Sequence, residues 1–220
     1  DVEIISEASI EGLQYYLSGT TTNGSFSLES DMPYDVILNN TEITSLTNVP
    51  LNLSKNVERN IIIANGTTNI LSDSEDSDGK AVINSKGATN ISGFGSLTIN
   101  ANKKHGISSD NDININGTTI SINHSADASK GLKSDCNIMI TDGDVNIVSS
   151  GTLTLEALDL GYDATYCTSI GADGNFEMRG GKLNITLPVS NEAGRGIKTD
   201  GDISISGGEI NIVSHSGGDT

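Results

Sequence analysis

Residues 131–148 read GLKSDCNIMITDGDVNIV, and residues 196–213 read GIKTDGDISISGGEINIV. A block that recurs with similar residues in the same places commits a chain to a fold in which successive copies meet equivalent neighbours. Aligned on the aspartate of the KSD/KTD tag, four copies centre on Asp110, Asp135, Asp173 and Asp200. Three sets of apolar columns run through them. The first holds Ile83, Ile107, Leu132, Ile170 and Ile197. The second pairs Ile113/Ile115 with Ile138/Ile140, Phe176/Met178 and Ile203/Ile205. The third pairs Leu97/Ile99 with Ile120/Ile122, Val145/Ile147, Leu183/Ile185 and Ile210/Ile212. The residue inside each pair is polar or tolerates an outward position, as with Asn114, Ser121, Asn146 and Asn184.

Apolar residues at alternate positions mark strands with one buried face. Each copy therefore predicts three short strands, separated by turns that often carry glycine, such as Gly117, Gly143 and Gly180–Gly181. Three strands per copy, with like residues above and below, is the pattern of an all-β parallel β-helix, a solenoid with three strands per coil. A β-sandwich also uses short alternating strands, but it gives no reason for positions to match coil after coil. The first column advances 24 residues from Ile83 to Ile107 and 25 from Ile107 to Leu132, one coil each. The 38-residue step from Leu132 to Ile170 predicts an insertion over residues 149–167. No coil buries its apolar face alone, so both ends need covering. Residues 1–28, with Tyr15, Tyr16 and Leu17, are expected to cap the first end. The last coil runs into HSGGDT without an evident cap, so the chain is expected to continue or to meet a partner end to end. DVILNNTEIT (35–44), VPLNLSK (49–55) and NIIIANGTTNIL (60–71) read as less regular coils, and residues 1–220 as one domain.

Composition narrows the function classes. Aromatic residues make up 4% and tryptophan is absent, so the core is built from Ile, Leu and Val. Abundant Asn, Ser, Thr and Gly disfavour long helices, and only the stretch around Leu153–Leu160 is helix-permissive. The formal net charge of −17 argues against nucleic acid as a partner, because phosphates call for a basic surface. It suits either solubility or divalent cations. No apolar run is long enough to span a bilayer. The sequence starts at Asp1, so a mature or trimmed form is expected, with any signal peptide or lipid anchor upstream. Cys136 and Cys167 permit one disulfide without establishing it, since they occupy different repeat positions.

The residues able to carry chemistry lie in and around the tag. Stacked in register, Asp110, Asp135, Asp173 and Asp200 form a ladder with carboxylates about 5 Å apart. Like charges that close need a cation between them, a neighbouring lysine, or room to splay into water. Calcium accepts such oxygens in irregular geometry, while an aspartate that merely accepts backbone N–H bonds in its turn is the plainer alternative. His105, Lys130 and Arg195 share one column, and Lys133 and Lys198 share another. These cations either neutralise the ladder or meet sugar carboxylates, with Arg forming paired hydrogen bonds and Lys acting as a point charge. Tyr162 and Tyr166, in the insertion, are the ring candidates for stacking on sugar, with packing of the inserted loop on the stack as the plainer alternative. The acidic run SDSEDSDG (72–79) lacks the closing Glu of an EF-hand loop and reads either as a solvated inter-coil loop or as a surface calcium site. His124 and His215 fall in turns where a solvent-facing side chain is expected. No G-x-S-x-G or H-E-x-x-H motif is present, and the three histidines are not at metal-ligand spacing.

The run NGTTNILSDSEDSDGKAVINSKGATNISGFGSLTINANKKHGISSDNDININGTTISI, followed by KGLKSD, resembles the bacterial extracellular carbohydrate-binding β-helix family described as cellulose- and acid-sugar-binding. The blocks occur in the family's order from about Asp35 to Ser214. The resemblance implies a right-handed β-helix shaped like polysaccharide lyases, secretion or surface display, bound calcium, and affinity for polygalacturonate-type acids. It implies a binding module rather than an enzyme. The loop before the GIK-type motif reads SADASKGLK here, keeping only Asp127 of the paired aspartates usual in the family, which weakens a calcium site there. The expected function is thus a calcium-containing, non-catalytic polysaccharide-binding module. A calcium-dependent pectate-type lyase and a structural adhesin stalk are the alternatives.

Overall fold

The computed structural model describes residues 1–191 and 193–215. Among these there is no helix, and parallel strands stack into a β-solenoid of about eight turns. One face is an eight-stranded sheet that includes Phe26–Ser30, Leu51–Ser54, Ala81–Ser85, His105–Ser109, Lys130–Ser134, Thr168–Ala172 and Arg195–Thr199. The other two faces join into one larger sheet, because the strand Tyr34–Thr44 serves both. Its first half pairs with Arg59–Ile63 and its second with Thr68–Ser72, the change of direction falling at Asn40, whose φ is 53°.

The register follows the sequence columns. Ile83, Ile107, Leu132, Ile170 and Ile197 are paired rung by rung, and Phe26 and Leu51 extend the same column toward the first coil. The second and third columns are paired likewise, Ile138 with Phe176 and Ile147 with Ile185 among them. From Leu51 to Ile170 the members of the first column are wholly buried. Each such side chain contributes about 1.5–3 kcal/mol on leaving water. Between the inward residues, outward amides bridge successive coils: Asn60, Asn90 and Asn114 form one ladder, with bonds of 3.1 and 2.9 Å. At the corner between the second and third faces a glycine of positive φ recurs from coil to coil. Gly93 shows why: a Cβ there would lie 2.0 Å from the Ile63 carbonyl oxygen.

Some expectations are refined and one is revised. Residues 1–28, the expected cap, take the form of a terminal coil of the same stack: Val2–Ser6 pairs in parallel with Phe26–Ser30, and Leu13–Thr21 with Tyr34–Thr44. The upstream segments are coils of the same stack and less regular, as expected: the register shifts between Leu17 and Gly19, and Tyr34–Thr44 runs through a corner to serve two faces. The helix-permissive stretch is half of an antiparallel hairpin, Thr154–Leu158 with Gly161–Thr165. A short isolated helix is marginal in water, and a hairpin returns the chain to the corner from which the insertion leaves. Cys136 and Cys167 are both free thiols. The end of HSGGDT, residues 216–220, lies outside the described residues, and in the last described coil Ile203, Ile205 and Ile212 are exposed.

Candidate functional site

The turn that follows each first-face strand is built without the tag aspartates. Ser109 and Ser134 accept the N–H groups of Asn111 and Cys136 at 3.1 and 3.0 Å. One coil passes its turn to the next through Asp112, Asn137 and Asn175, whose side-chain oxygens accept the N–H groups of Asn137, Asn175 and Asp202. The aspartates are therefore left to the surface. Asp110 is paired with Lys86 at 2.6 Å, Asp135 with Lys133, and Asp200 with Lys198. The hydrogen bond from Lys198 holds the Asp200 carboxyl below its ordinary range. These exposed pairs contribute little stability, about 0–1 kcal/mol each, but they relieve the repulsion of acids on neighbouring rungs. This is the trailing edge of the first face, and its cations are already spoken for. Asp173, on the same edge, makes no ion pair among the described residues.

The leading edge is different. Lys130, Thr168 and Arg195 stand rung on rung, continuing the column of Ala81 and His105. His105 lies inside this edge and is 7% exposed, with Nδ1 accepting the Lys130 backbone N–H at 3.0 Å. Burial, aided by Lys104, Lys130 and Lys133, pushes its pKa down to about 3. It is a neutral scaffold residue rather than part of an exposed cationic strip. Lys130 bends outward across Gly171: a Cβ on that glycine would sit 2.7 Å from the lysine Cδ. Gly171 thus leaves a notch between the Lys133 and Lys198 rungs, and Lys130 lies over it. Partial burial, together with Lys133 and Lys198 against Asp173 and Asp135, lowers the Lys130 pKa. Arg195 packs its guanidinium over the Tyr166 ring, 3.7 Å from the centroid. Lys80 and Lys104 immediately precede the column members Ala81 and His105 and are exposed. None of Lys80, Lys104, Lys130 and Arg195 forms an ion pair among the described residues.

The remaining candidates are dispersed. Tyr162 is on the hairpin and exposed, away from Tyr166 at its root. Asp127 accepts both the N–H and the hydroxyl of Thr152, at 2.8 Å each, which lowers its pKa. Among the described residues no three His, Cys, Asp or Glu side chains are gathered as metal ligands. Three of the four ladder carboxylates, Asp110, Asp135 and Asp200, are bound to lysines. His124 is buried, against the solvent-facing expectation, because its ring fills a corner where serines meet it. Its Nδ1 and Nε2 lie 2.6 and 2.5 Å from the Ser129 and Ser149 hydroxyls. The Cys167 thiol, 3.7 Å from Nδ1, is raised in pKa by burial. Sequence reasoning overlooked Phe94, which is 80% exposed at a corner; its position between Gly93 and Gly95, where no side chain can cover it, was the available signal.

Fold and edges together define a parallel β-solenoid that displays rows of charge along its axis. The family model of carbohydrate-binding domain-containing proteins matches residues 2–220, and the chain belongs to that family. A curated relative, a carbohydrate-binding domain-containing protein of Acetivibrio thermocellus, is 30% identical over 118 residues. That match covers 49% of this chain and 41% of the relative, so the chain spans less than half of that protein's length. A solved structure described as the polysaccharide lyase-like protein from C. thermocellum, a gadolinium derivative, superposes with a TM-score of 0.67 at 20% identity. It covers 96% of this chain and 88% of its own, a likeness of fold.

Proposed function

We propose that this chain is a non-catalytic module that binds acidic polysaccharide, of the polygalacturonate type, along the leading edge of the first face. The observation that carries this reading is the division of the cations: on the trailing edge Lys86, Lys133 and Lys198 are each paired with a tag aspartate, whereas Lys80, Lys104, Lys130 and Arg195 on the leading edge form no ion pair among the described residues. Arg195, flattened on Tyr166, presents its remaining N–H fork to a carboxylate, and Lys130 offers an ammonium over Gly171, between the Lys133 and Lys198 rungs. Family membership supports carbohydrate as the ligand class, and scarce exposed aromatics favour an acidic over a neutral one. Calcium, a cellulose contact and an extracellular location enter this reading through the family resemblance, with Asp173 and Asp127 as the first ligands to examine.

Retention on unesterified polygalacturonate, on its methyl ester and on cellulose, each in calcium and in EDTA, tests this reading. Ultraviolet absorbance for unsaturated products is followed in parallel. The expected result is retention by the unesterified polymer, loss of most of it on the ester, and no product. Thermal unfolding is expected to shift upward by several degrees in calcium relative to EDTA, as for any ion bound only by the folded state. Equal retention on ester and acid, or none on either, contradicts acidic recognition, and sustained product formation contradicts the non-catalytic reading.

A further inference from the structure

Beyond the polysaccharide reading, we infer that Lys130 is a nucleophilic amine, which forms a reversible imine with a small carbonyl compound carrying a carboxylate, such as an α-keto acid, held by Lys133 and Lys198. Lys130 starts in the column of Thr168 and Arg195, but its side chain leaves that column. It crosses to the next coil, where a Cβ on Gly171 would lie 2.7, 3.0 and 3.3 Å from its Cδ, Cε and Nζ. Gly171 pairs in register with Lys133 on one side and Lys198 on the other. Neighbouring rungs are about 4.8 Å apart, so three lysines share one bare rung and the two beside it. Lys133 and Lys198 are tied to Asp135 and Asp200, whereas Lys130 forms no ion pair among the described residues. An ammonium has three N–H donors, so Lys133 and Lys198 keep donors for a ligand carboxylate.

The groups facing Lys130 come from every neighbouring coil. His105 below accepts its backbone N–H; Lys133 and Asp135 follow on its own strand and turn; Asp173 lies on the next rung, and Lys198 and Asp200 on the one after. Partial burial, then Lys133 and Lys198, lower its pKa against the opposing pull of Asp173 and Asp135. A desolvated lysine beside other cations is the kind that attacks carbonyls. Neutral Nζ bonds to the carbonyl carbon as the C=O π pair moves to oxygen. Proton transfer from nitrogen gives the carbinolamine, and loss of its hydroxyl as water leaves the C=N bond. No oxidant or reductant takes part, and hydrolysis returns both partners. Lys80 and Lys104 also lack an ion pair among the described residues, but both are exposed.

Trapping with pyruvate is the test. The folded chain is incubated at neutral pH with pyruvate and cyanoborohydride, which reduces an imine to a stable secondary amine, and modified lysines are located by peptide mass spectrometry. Lys130 is expected to react about tenfold faster than Lys80 and Lys104, the scale on which burial and like charge enrich a free amine. Acetone, a ketone without a carboxylate, is expected to show a smaller preference for Lys130. Lys133→Met and Lys198→Met are each expected to lower the preference seen with pyruvate. Gly171→Ala keeps every lysine but puts a methyl group where the Lys130 chain lies, so it is expected to bring Lys130 down to the rate of Lys80. Thermal midpoints confirm that each variant is folded. A Lys130 rate no higher than that of Lys80 and Lys104, or one that Gly171→Ala leaves unchanged, overturns the nucleophile. Equal preference with acetone and pyruvate overturns the hold on the carboxylate. No polysaccharide enters the experiment, so a failure to bind polygalacturonate leaves its result standing.

Discussion

At the residue scale, identical side-chain types do opposite work according to their edge. Lys133 and Lys130 are three positions apart, yet one is locked to Asp135 and the other lies over a glycine with no carboxylate bound. The aspartate tag was readable as a ladder, but its role was not, because the sequence does not reveal which neighbours satisfy the turn. Serines and the Asp112–Asn137–Asn175 series do that, freeing the aspartates for lysine. The buried histidines carry a pH signature. Burial pushes His105 to about 3 and His124 to about 4, both below the value in an unfolded chain. Above about pH 6.5 neither state is protonated and their contribution is intact; as pH falls, the unfolded chain gains protons the folded one refuses. Stability is therefore expected to fall between about pH 6.5 and 4, by up to ~1.4 kcal/mol per pH unit for each histidine. Chemical denaturation across this range measures it. His124→Gln is expected to flatten the slope, and an unchanged slope contradicts a buried neutral imidazole.

At the element scale, the strands and their register were legible because each inward position repeats: Ile107, Leu132 and Ile170 could only stack on one another. The hairpin was not, since it belongs to no repeat and its alternation is indistinct. It stands clear of the stack. Leu155, Ala157, Tyr162 and Ala164 share one of its faces, while Glu156 faces Asp163 on the other. Like charges directly opposed and an uncovered apolar face make such a two-stranded element a poor source of stability. Replacing Thr154–Thr165 by a short Gly-Ser linker, with Tyr166 and Cys167 kept, is expected to change unfolding free energy by less than about 1 kcal/mol. Loss of cooperative unfolding on that replacement contradicts the description of the hairpin as an appendage.

At the scale of the whole molecule, the proposed function asks an acidic solenoid to meet an acidic ligand. With a formal charge of −17, general attraction is unavailable, so recognition has to be local, over distances within the screening length of about 10 Å at 0.1 M salt. Coil stacking supplies that locality: it turns single basic residues, scattered in the sequence, into a line at fixed spacing. The division of that line into a paired and an unpaired edge is the account's central claim. Titrating isotope-labelled protein with unesterified galacturonate oligomers and following backbone amide shifts tests it most directly. The predicted result is a single connected set of perturbed amides at Lys130–Gly131, Thr168–Gly171 and Arg195–Gly196, stronger than at the trailing-edge turns around Asp110 and Asp200. Perturbations confined to the trailing edge or to the amide-ladder faces would contradict it.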